Sequence, residues 1–312
     1  MSNVYLGIDT SNYTTSTALF CGKTRIITQQ KQLLPVKNGE LGLRQSDAVF
    51  HHTQQLPNLL QALWRQSDRL KAVGASIKPR DVQNSYMPCF SVGAGAARVI
   101  AVTHGIPFYA FSHQGGHIAA ALYGAQRLDL LAAPFIAFHV SGGTTEAVLV
   151  QPNKEKLFTA TQIAGSLDLK AGQAVDRVGG MLGLAFPAGN ALEQLALQWN
   201  TPCRVKPSGK GVDFSLSGIE NQCGKLLETG HPKAEIARFC LDSILAALKY
   251  AAHALLLKYG DMPLLFAGGV MANSIIRAAL TERYGAVFAP PEFSADNAAG
   301  IAVLTAMKEG EW

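Results

Sequence analysis

The stretch Val4-Tyr5-Leu6-Gly7-Ile8-Asp9-Thr10-Ser11-Asn12-Tyr13-Thr14-Thr15-Ser16-Thr17-Ala18-Leu19-Phe20 decides the fold class. Residues 4–10 read as a strand that ends in a tight polar turn, Asp9-Thr10-Ser11-Asn12, and a second strand follows at about 16–20. Cys21-Gly22-Lys23 turns the chain into a third strand at 25–31, which makes a β-meander. The pattern restarts at Pro134–Val140, turns at Ser141-Gly142-Gly143-Thr144 and continues as a strand at Glu146–Gln151. Helices are expected near 46–70, 93–104, 113–125, 168–182, 188–199, 234–259, 273–284 and 295–308. Short strands are expected at Leu264–Ala267 and Ala286–Ala289. Strands alternating with helices define an α/β protein, and a repeated strand–turn–strand unit predicts two similar lobes with a cleft between them. The expected division is an N-terminal lobe over 1–106, onto which the helix at 295–308 packs back, and a C-terminal lobe over 107–294.

Composition narrows the function classes. The chain has 312 residues, 48% hydrophobic and 16% charged, enough for a large core and against a long disordered tail. A net charge of +5 permits contact with nucleic acid without demanding it, because no dense Lys/Arg block is present. The five cysteines are scattered and contain no C-x-x-C, which argues against a disulfide framework or zinc knuckle and suits a reducing cytoplasm. The first residues show no basic segment followed by an apolar one, so no secretory leader is expected. The apolar stretch from Ile236 to Tyr259 is broken by Arg238, Asp242, Lys249 and His253 and repeats at helical spacing, which predicts a buried core helix and no membrane span.

Three turns have the chemistry to hold a nucleotide. Ser141-Gly142-Gly143-Thr144 can bring backbone N–H groups and hydroxyls to phosphate oxygens. Gly7-Ile8-Asp9-Thr10-Ser11 has the same shape and adds a carboxylate that could orient a metal or water. Gly268-Gly269-Val270-Met271-Ala272-Asn273 ends a strand and opens a helix, where ligands bind in α/β sheets. Asn273 there either reaches a base or ribose or caps the helix.

His113-Gln114-Gly115-Gly116-His117 places two imidazoles at i and i+4, on one face of a helix start. Two histidines and one carboxylate make an iron or zinc site, and Asp296, at the start of the last helix, is a plausible third ligand. A metalloprotease is excluded as a strong reading: there is no H-E-x-x-H, and Gln114 is no general base.

In order along nearly the whole chain, these motifs resemble the tRNA threonylcarbamoyladenosine synthase family, also called the glycoprotease or O-sialoglycoprotein endopeptidase family. The resemblance is carried by Leu6–Ser11, His113-x-x-x-His117, Val140–Thr144, Ala171–Arg177, Leu182–Gly189, Asp213–Gly218, Gly268–Asn273 and Ala295–Ala299. It implies an actin–hexokinase (ASKHA) fold with a nucleotide-binding cleft. It also implies transfer of a threonylcarbamoyl group from an adenylate to tRNA adenosine, with tRNA and the partner subunits of that synthesis as partners and no membrane. By motif match, a divalent metal (Fe²⁺ or Zn²⁺) would sit on His113, His117 and Asp296. An adenine nucleotide, threonylcarbamoyl-adenylate or ATP, would contact Val140 to Gly143, Asp176, Gly189, Glu193 and Asn273. Asp9, Ser11, Thr144, Gly268 and Gly269 complete the expected nucleotide or substrate set.

The chain also departs from the pattern. Tyr13-Thr14 stand where two acidic residues are usual, Thr144 replaces His, Gln173 replaces Glu, and Ser85–Phe90 replace a T-x-G-P-G turn. These substitutions suit a diverged, non-catalytic or regulatory paralogue that binds ATP and metal as well as they suit an active acyltransferase.

Overall fold

The computed structural model describes residues 2–11, 13–36, 43–64 and 68–312; Asn12, expected in the first turn, lies outside them. The chain divides into two compact units. Unit 1 comprises Met1–Leu131, Pro152–Ala160 and Glu292–Trp312, and unit 2 comprises Ala132–Gln151 and Thr161–Pro291.

Unit 1 is built on β1 (Ser2–Thr10), β2 (Thr14–Cys21), β3 (Ile27–Leu33), β4 (Asp68–Lys78) and β5 (Phe108–Ser112). They run in the order β3-β2-β1-β4-β5, with β1–β2 and β2–β3 antiparallel and β1–β4 and β4–β5 parallel. Its helices are α1 (Gln45–Leu63), α2 (Phe90–His104) and α3 (His113–Gly124). Strand alternation sorts the two faces of β1. Val4, Leu6 and Ile8 pack with Leu56 and Leu63 of α1 and Ala97 of α2. Gly7 faces the opposite way, where an added Cβ would stand 2.4 Å from the Ala302 nitrogen. Asp9, two residues on, shares the face of Gly7.

Unit 2 carries β6 (Phe135–Val140), β7 (Thr145–Asn153), β8 (Leu157–Gly165), α4 (Ala171–Met181), α5 (Gly189–Ala196), β9 (Ser208–Lys210), β10 (Asp213–Ser215), α6 (Gly218–Glu228), α7 (Lys233–Tyr259), β11 (Leu264–Ala267), α8 (Ser274–Tyr284) and β12 (Val287–Phe288). The tip of the β7–β8 hairpin, 152–160, counts with unit 1. The main sheet has the order β12-β11-β6-β7-β8. Strand for strand this repeats unit 1: a meander, β6-β7-β8, with two further strands parallel to its first member. α7 is long and apolar enough to cross a membrane, but 61% of its apolar window is buried, with Ile236, Cys240, Ile244, Leu248 and Leu255 in the core of unit 2. It is a core helix, as its interrupted periodicity predicts.

The chain ends with α9 (Pro291–Ser294) and α10 (Ala299–Lys308). α10 lies on β1 and β4 and packs against α3 so closely that a Cβ on Gly300 would stand 1.8 Å from the Gly116 carbonyl oxygen. That packing moves the division expected at 106/107. β5 pairs with β4 and α3 packs on α10, so both belong to unit 1. The helix expected over 46–70 stops at Leu63, and β4 begins at Asp68. Leu70, Ala72, Val73 and Ala75 are all buried, so β4 lacks the polar–apolar alternation that marks a half-exposed strand.

Candidate metal centre and glycine-lined cavity

α3 starts abruptly because Ser112 caps it: its Oγ accepts from the Gly115 nitrogen at 3.1 Å. His113 and His117 therefore project one turn apart from a fixed helix start, next to the segment that leads into α10. The Nε2 atoms of the two rings are 3.0 Å apart, and Asp296 Oδ1 lies 3.1 Å from His117 Nε2 and 3.6 Å from His113 Nε2. Ligand atoms about 2.1 Å from one ion, at tetrahedral or octahedral angles, stand roughly 3.0–3.4 Å apart. Among the described residues this is the group whose His and carboxylate atoms all fall within 4.8 Å of one another.

The surroundings fit a cation. Asp9, at the end of β1, is fully buried and its Oδ2 accepts from His113 Nδ1 at 2.6 Å, which leaves Nε2 for the centre. Asp9 Oδ1 is buried with no partner among the described residues, an unsatisfied acceptor beside the cluster. Ser11 Oγ and Thr14 Oγ1 donate to Asp296 Oδ2 at 3.3 and 3.5 Å, so Oδ1 is the oxygen turned to the histidines. Burial opposes a charge on His113, but the adjacent Asp9 and Asp296 outweigh it and raise its pKa to about 10. Burial likewise opposes a charge on Asp296, and hydrogen bonds and charge from His113 and His117 hold it well below the usual carboxylate range.

Two readings of the sequence change here. Asp9, expected either to orient a metal or water or, with Ser11, to join the nucleotide or substrate set, stands with Ser11 at the histidine–aspartate cluster, because alternation along β1 aims Asp9 at the α10 face. A further residue was missed. His52 is fully buried on α1, its Nε2 donates to the Ser11 carbonyl at 2.8 Å and its Nδ1 meets Thr15 Oγ1 at 2.7 Å. Burial pushes its pKa down, so it clamps the Ser11 turn as a neutral ring. In sequence His51-His52 looks like any helix-surface pair; the buried Thr15 that meets His52 comes from β2, and its hydroxyl is shared with Gln55 Oε1, one turn further along α1.

Unit 2 holds a separate cavity of about 280 Å³ lined by Gly142, Asp176, Gly189, Glu193, Gly269 and Asn273 among others. Its floor is bare backbone: a Cβ on Gly172 would stand 2.6 Å from the Gly142 nitrogen. Val140, Ser141, Gly143, Thr144 and Gly268 do not line it. Val140 is a core residue, Ser141 Oγ accepts from the Thr144 nitrogen at 3.1 Å, and Gly268 meets the Val140 carbonyl with φ +103°. Asp176 Oδ1 accepts from the Ala188 nitrogen at 2.9 Å and fixes the turn before Gly189. Glu193 Oε1 accepts from the Ser274 nitrogen at 2.8 Å, and Asn273 Oδ1 accepts from the Ile276 nitrogen at 3.1 Å as the cap of α8. Among the described residues no lysine or arginine lines this cavity; its polar side chains are carboxylates and amides.

A family model of tRNA N6-adenosine threonylcarbamoyltransferase, TsaD, matches residues 46–303. The chain belongs to the TsaD family.

Several solved structures share its fold at low sequence identity. Component A of the Acidaminococcus fermentans (R)-2-hydroxyglutaryl-CoA dehydratase is 16% identical with a TM-score of 0.55, covering 99% of this chain and 100% of that one. The activator of the 2-hydroxyisocaproyl-CoA dehydratase from Clostridium difficile, solved with ADPNP, is 14% identical with a TM-score of 0.54, covering 99% and 96%. A ROK family glucokinase from Streptomyces griseus, in complex with glucose and AMPPNP, is 12% identical with a TM-score of 0.51, covering 97% and 99%. At these identities the likeness is one of fold, the actin–hexokinase fold. Within the TsaD frame two departures acquire a local explanation. Gln173 Oε1 accepts from the Lys170 nitrogen at 3.1 Å, a capping role at the start of α4 that Gln fills as well as Glu. Thr14 places a hydroxyl against Asp296.

Proposed function

We propose that this TsaD-family protein transfers a threonylcarbamoyl group from threonylcarbamoyl-adenylate to tRNA adenosine, in the cytoplasm and with partner subunits. The observation that carries the reading is the convergence of His113 Nε2, His117 Nε2 and Asp296 Oδ1 on one point. His113, His117 and Asp296 would hold a divalent ion, Fe²⁺ or Zn²⁺ by the two imidazoles and one carboxylate, which would supply Lewis acidity toward the threonylcarbamoyl moiety. Asp9 fixes the ring of His113, and Ser11 and Thr14 turn Asp296 toward the histidines. The glycine-lined cavity takes the adenosine part, with Asp176 and Glu193 suited to ribose hydroxyls and Asn273 to the base or ribose.

The second reading, a regulatory paralogue that binds nucleotide and metal without transfer, is favoured by one observation: Thr14, at a position the family fills with an acid, offers Asp296 a hydroxyl and no general base. One assay separates the two. Purified protein with metal, partner subunits, threonylcarbamoyl-adenylate and unmodified tRNA is incubated, and the tRNA is digested for mass spectrometry. Threonylcarbamoylated adenosine that disappears in His117→Ala supports the transferase; unmodified tRNA with intact nucleotide and metal binding assigns the regulatory role.

A further inference from the structure

The ribbon β9–β10 and the helix that follows it enclose a cavity of about 400 Å³ in unit 2, apart from the glycine-lined one. Its lining includes Lys206, Ser208, Ser215 and Gln222, and none of these side chains has a hydrogen-bond or ion-pair partner among the described residues. Ser208 and Ser215 are register partners across the ribbon, so their hydroxyls stand side by side on one face. Arg204, Lys206 and Lys210 are all exposed and make no ion pair among the described residues, which puts three such cations within seven residues.

The surface is held in place. Tyr250 donates to the Gly211 carbonyl at 2.8 Å, and Gly209 lies so flat on the Tyr250 ring that a Cβ there would come within 2.1 Å of it. Asp242, paired with Arg238, accepts from the Cys203 nitrogen at 2.7 Å and ties down the chain just before Arg204. Asp168, the acid in the cavity wall, is already saturated: it accepts from the Leu216 and Ser217 nitrogens and from Ser217 Oγ. Its charge is committed to the start of α6, while Lys206 has no partner among the described residues.

We propose that this ribbon and cavity form a subsite for the sugar-phosphate backbone of RNA. Lys206, flanked by Arg204 and Lys210, takes phosphate, and Ser208, Ser215 and Gln222 take ribose hydroxyls. An acidic protein segment needs cations alone. The 2′-hydroxyl both donates and accepts, and unpartnered serine hydroxyls and an amide match it. The choice of RNA rests on the tRNA reading above; the site itself lies outside the residues that reading uses.

The test is binding of a single-stranded RNA 12-mer, its DNA counterpart and an unmodified tRNA transcript, by fluorescence anisotropy between 50 and 200 mM salt. Lys206→Met is expected to lower the slope of log affinity against log salt by about 0.7–0.9, one phosphate contact, and Lys206→Arg to restore it. Ser208→Ala with Ser215→Ala is expected to abolish the preference for RNA over DNA while bound metal is unchanged. An unchanged slope or an unchanged RNA-to-DNA ratio overturns the subsite, as does equal displacement of the 12-mer by millimolar inorganic phosphate or AMP, which assigns the cavity to a small phosphate. Normal tRNA modification with wild-type binding by every variant removes the subsite and leaves the transferase. Variant-sensitive RNA binding without modification removes the transferase and leaves the subsite.

Discussion

Asp9 Oδ2 lies 2.6 Å from His113 Nδ1, so a strand residue sets the orientation of a helix residue 104 positions later. A carboxylate behind a ligating imidazole fixes its tautomer and strengthens its donor nitrogen. Asp9→Asn keeps the shape and removes the charge. It is expected to weaken metal binding by about 10–100-fold, read by competitive metal titration, with the fold intact by circular dichroism. Unchanged affinity would remove Asp9 from the centre.

Metal uptake is expected to release protons. In the metal-free protein the His113 pKa is raised to about 10, so near neutral pH the ion must displace a proton. Apparent affinity should therefore rise from pH 6 to pH 9, and calorimetry in two buffers of different ionisation heat gives the proton count. The same shift has a stability sign. A raised histidine pKa contributes stability that is full below the ordinary value of about 6.5 and is lost as pH rises through about 10. The metal-free Tm should fall over that window, and His113→Ala should flatten the fall.

Gly300→Ala tests the α3–α10 contact. Its Cβ would meet the Gly116 carbonyl oxygen at 1.8 Å and the Ala120 nitrogen at 2.7 Å, both backbone, so the helices must separate. Overpacking of this kind costs about 1–3 kcal/mol or more. Thermal melts should show the loss, and elemental analysis should show less bound metal, because the two helices carry or adjoin all three ligands. A variant with full stability would mean the contact is looser than described.

Asn273 has two assigned roles that one pair of variants separates. Asn273→Ala removes the cap of α8, a loss of about 1 kcal/mol, and also the amide offered to adenosine. Asn273→Asp keeps the capping oxygen but not the amide. Stability is expected to return in the Asp variant and adenine-nucleotide affinity is not, as read by chemical denaturation and titration calorimetry. Full affinity in Asn273→Asp would confine Asn273 to the cap.

Asp168 governs acid stability of unit 2. Burial raises its pKa, but the Ser217 hydroxyl and the Leu216, Leu169 and Ser217 nitrogens lower it to about 2. A depressed carboxylate contributes stability above its ordinary value of about 3.9 and loses it as pH falls through about 2. Asp168→Asn should lower Tm at pH 7 and shrink the difference from wild type as pH drops from 4 to 2. A constant difference across that range would contradict the assignment.

The meander at 4–31 and the strand–turn–strand unit at 134–151 are readable because each strand's apolar run ends in a polar or glycine turn; β8, the third strand of the second meander, is not. The histidine pair was readable because Ser112 and i,i+4 spacing are local facts. Asp9 reads as a carboxylate that could serve a metal or a nucleotide, and its neighbours in the fold, His113 and the segment before α10, meet it only in three dimensions. Only residues 68–70 of β4 fall in the helix expected over 46–70, and 71–78 carry no expectation, because a strand buried on both faces lacks polar–apolar alternation. His52 gave no signal, since the partners that bury it, Thr15 and the Ser11 carbonyl, belong to another element. Gln173 looked like a chemical departure and turned out to be a cap.

Unit 2 is inserted into unit 1, and this orders events during synthesis. Residues 132–151 and 161–291 leave the ribosome before Glu292–Trp312. Until then the face of β1 bearing Gly7 and Asp9 has no α10 to cover it, and His113 and His117 lack an acid that lies 179 positions beyond His117. An unfinished chain can complete unit 2 and its cavity, but it cannot assemble the three-ligand centre. If the cluster holds an ion as proposed, capture would wait until Asp296 has been made, and a fragment that stops before it would carry both histidines without the third ligand.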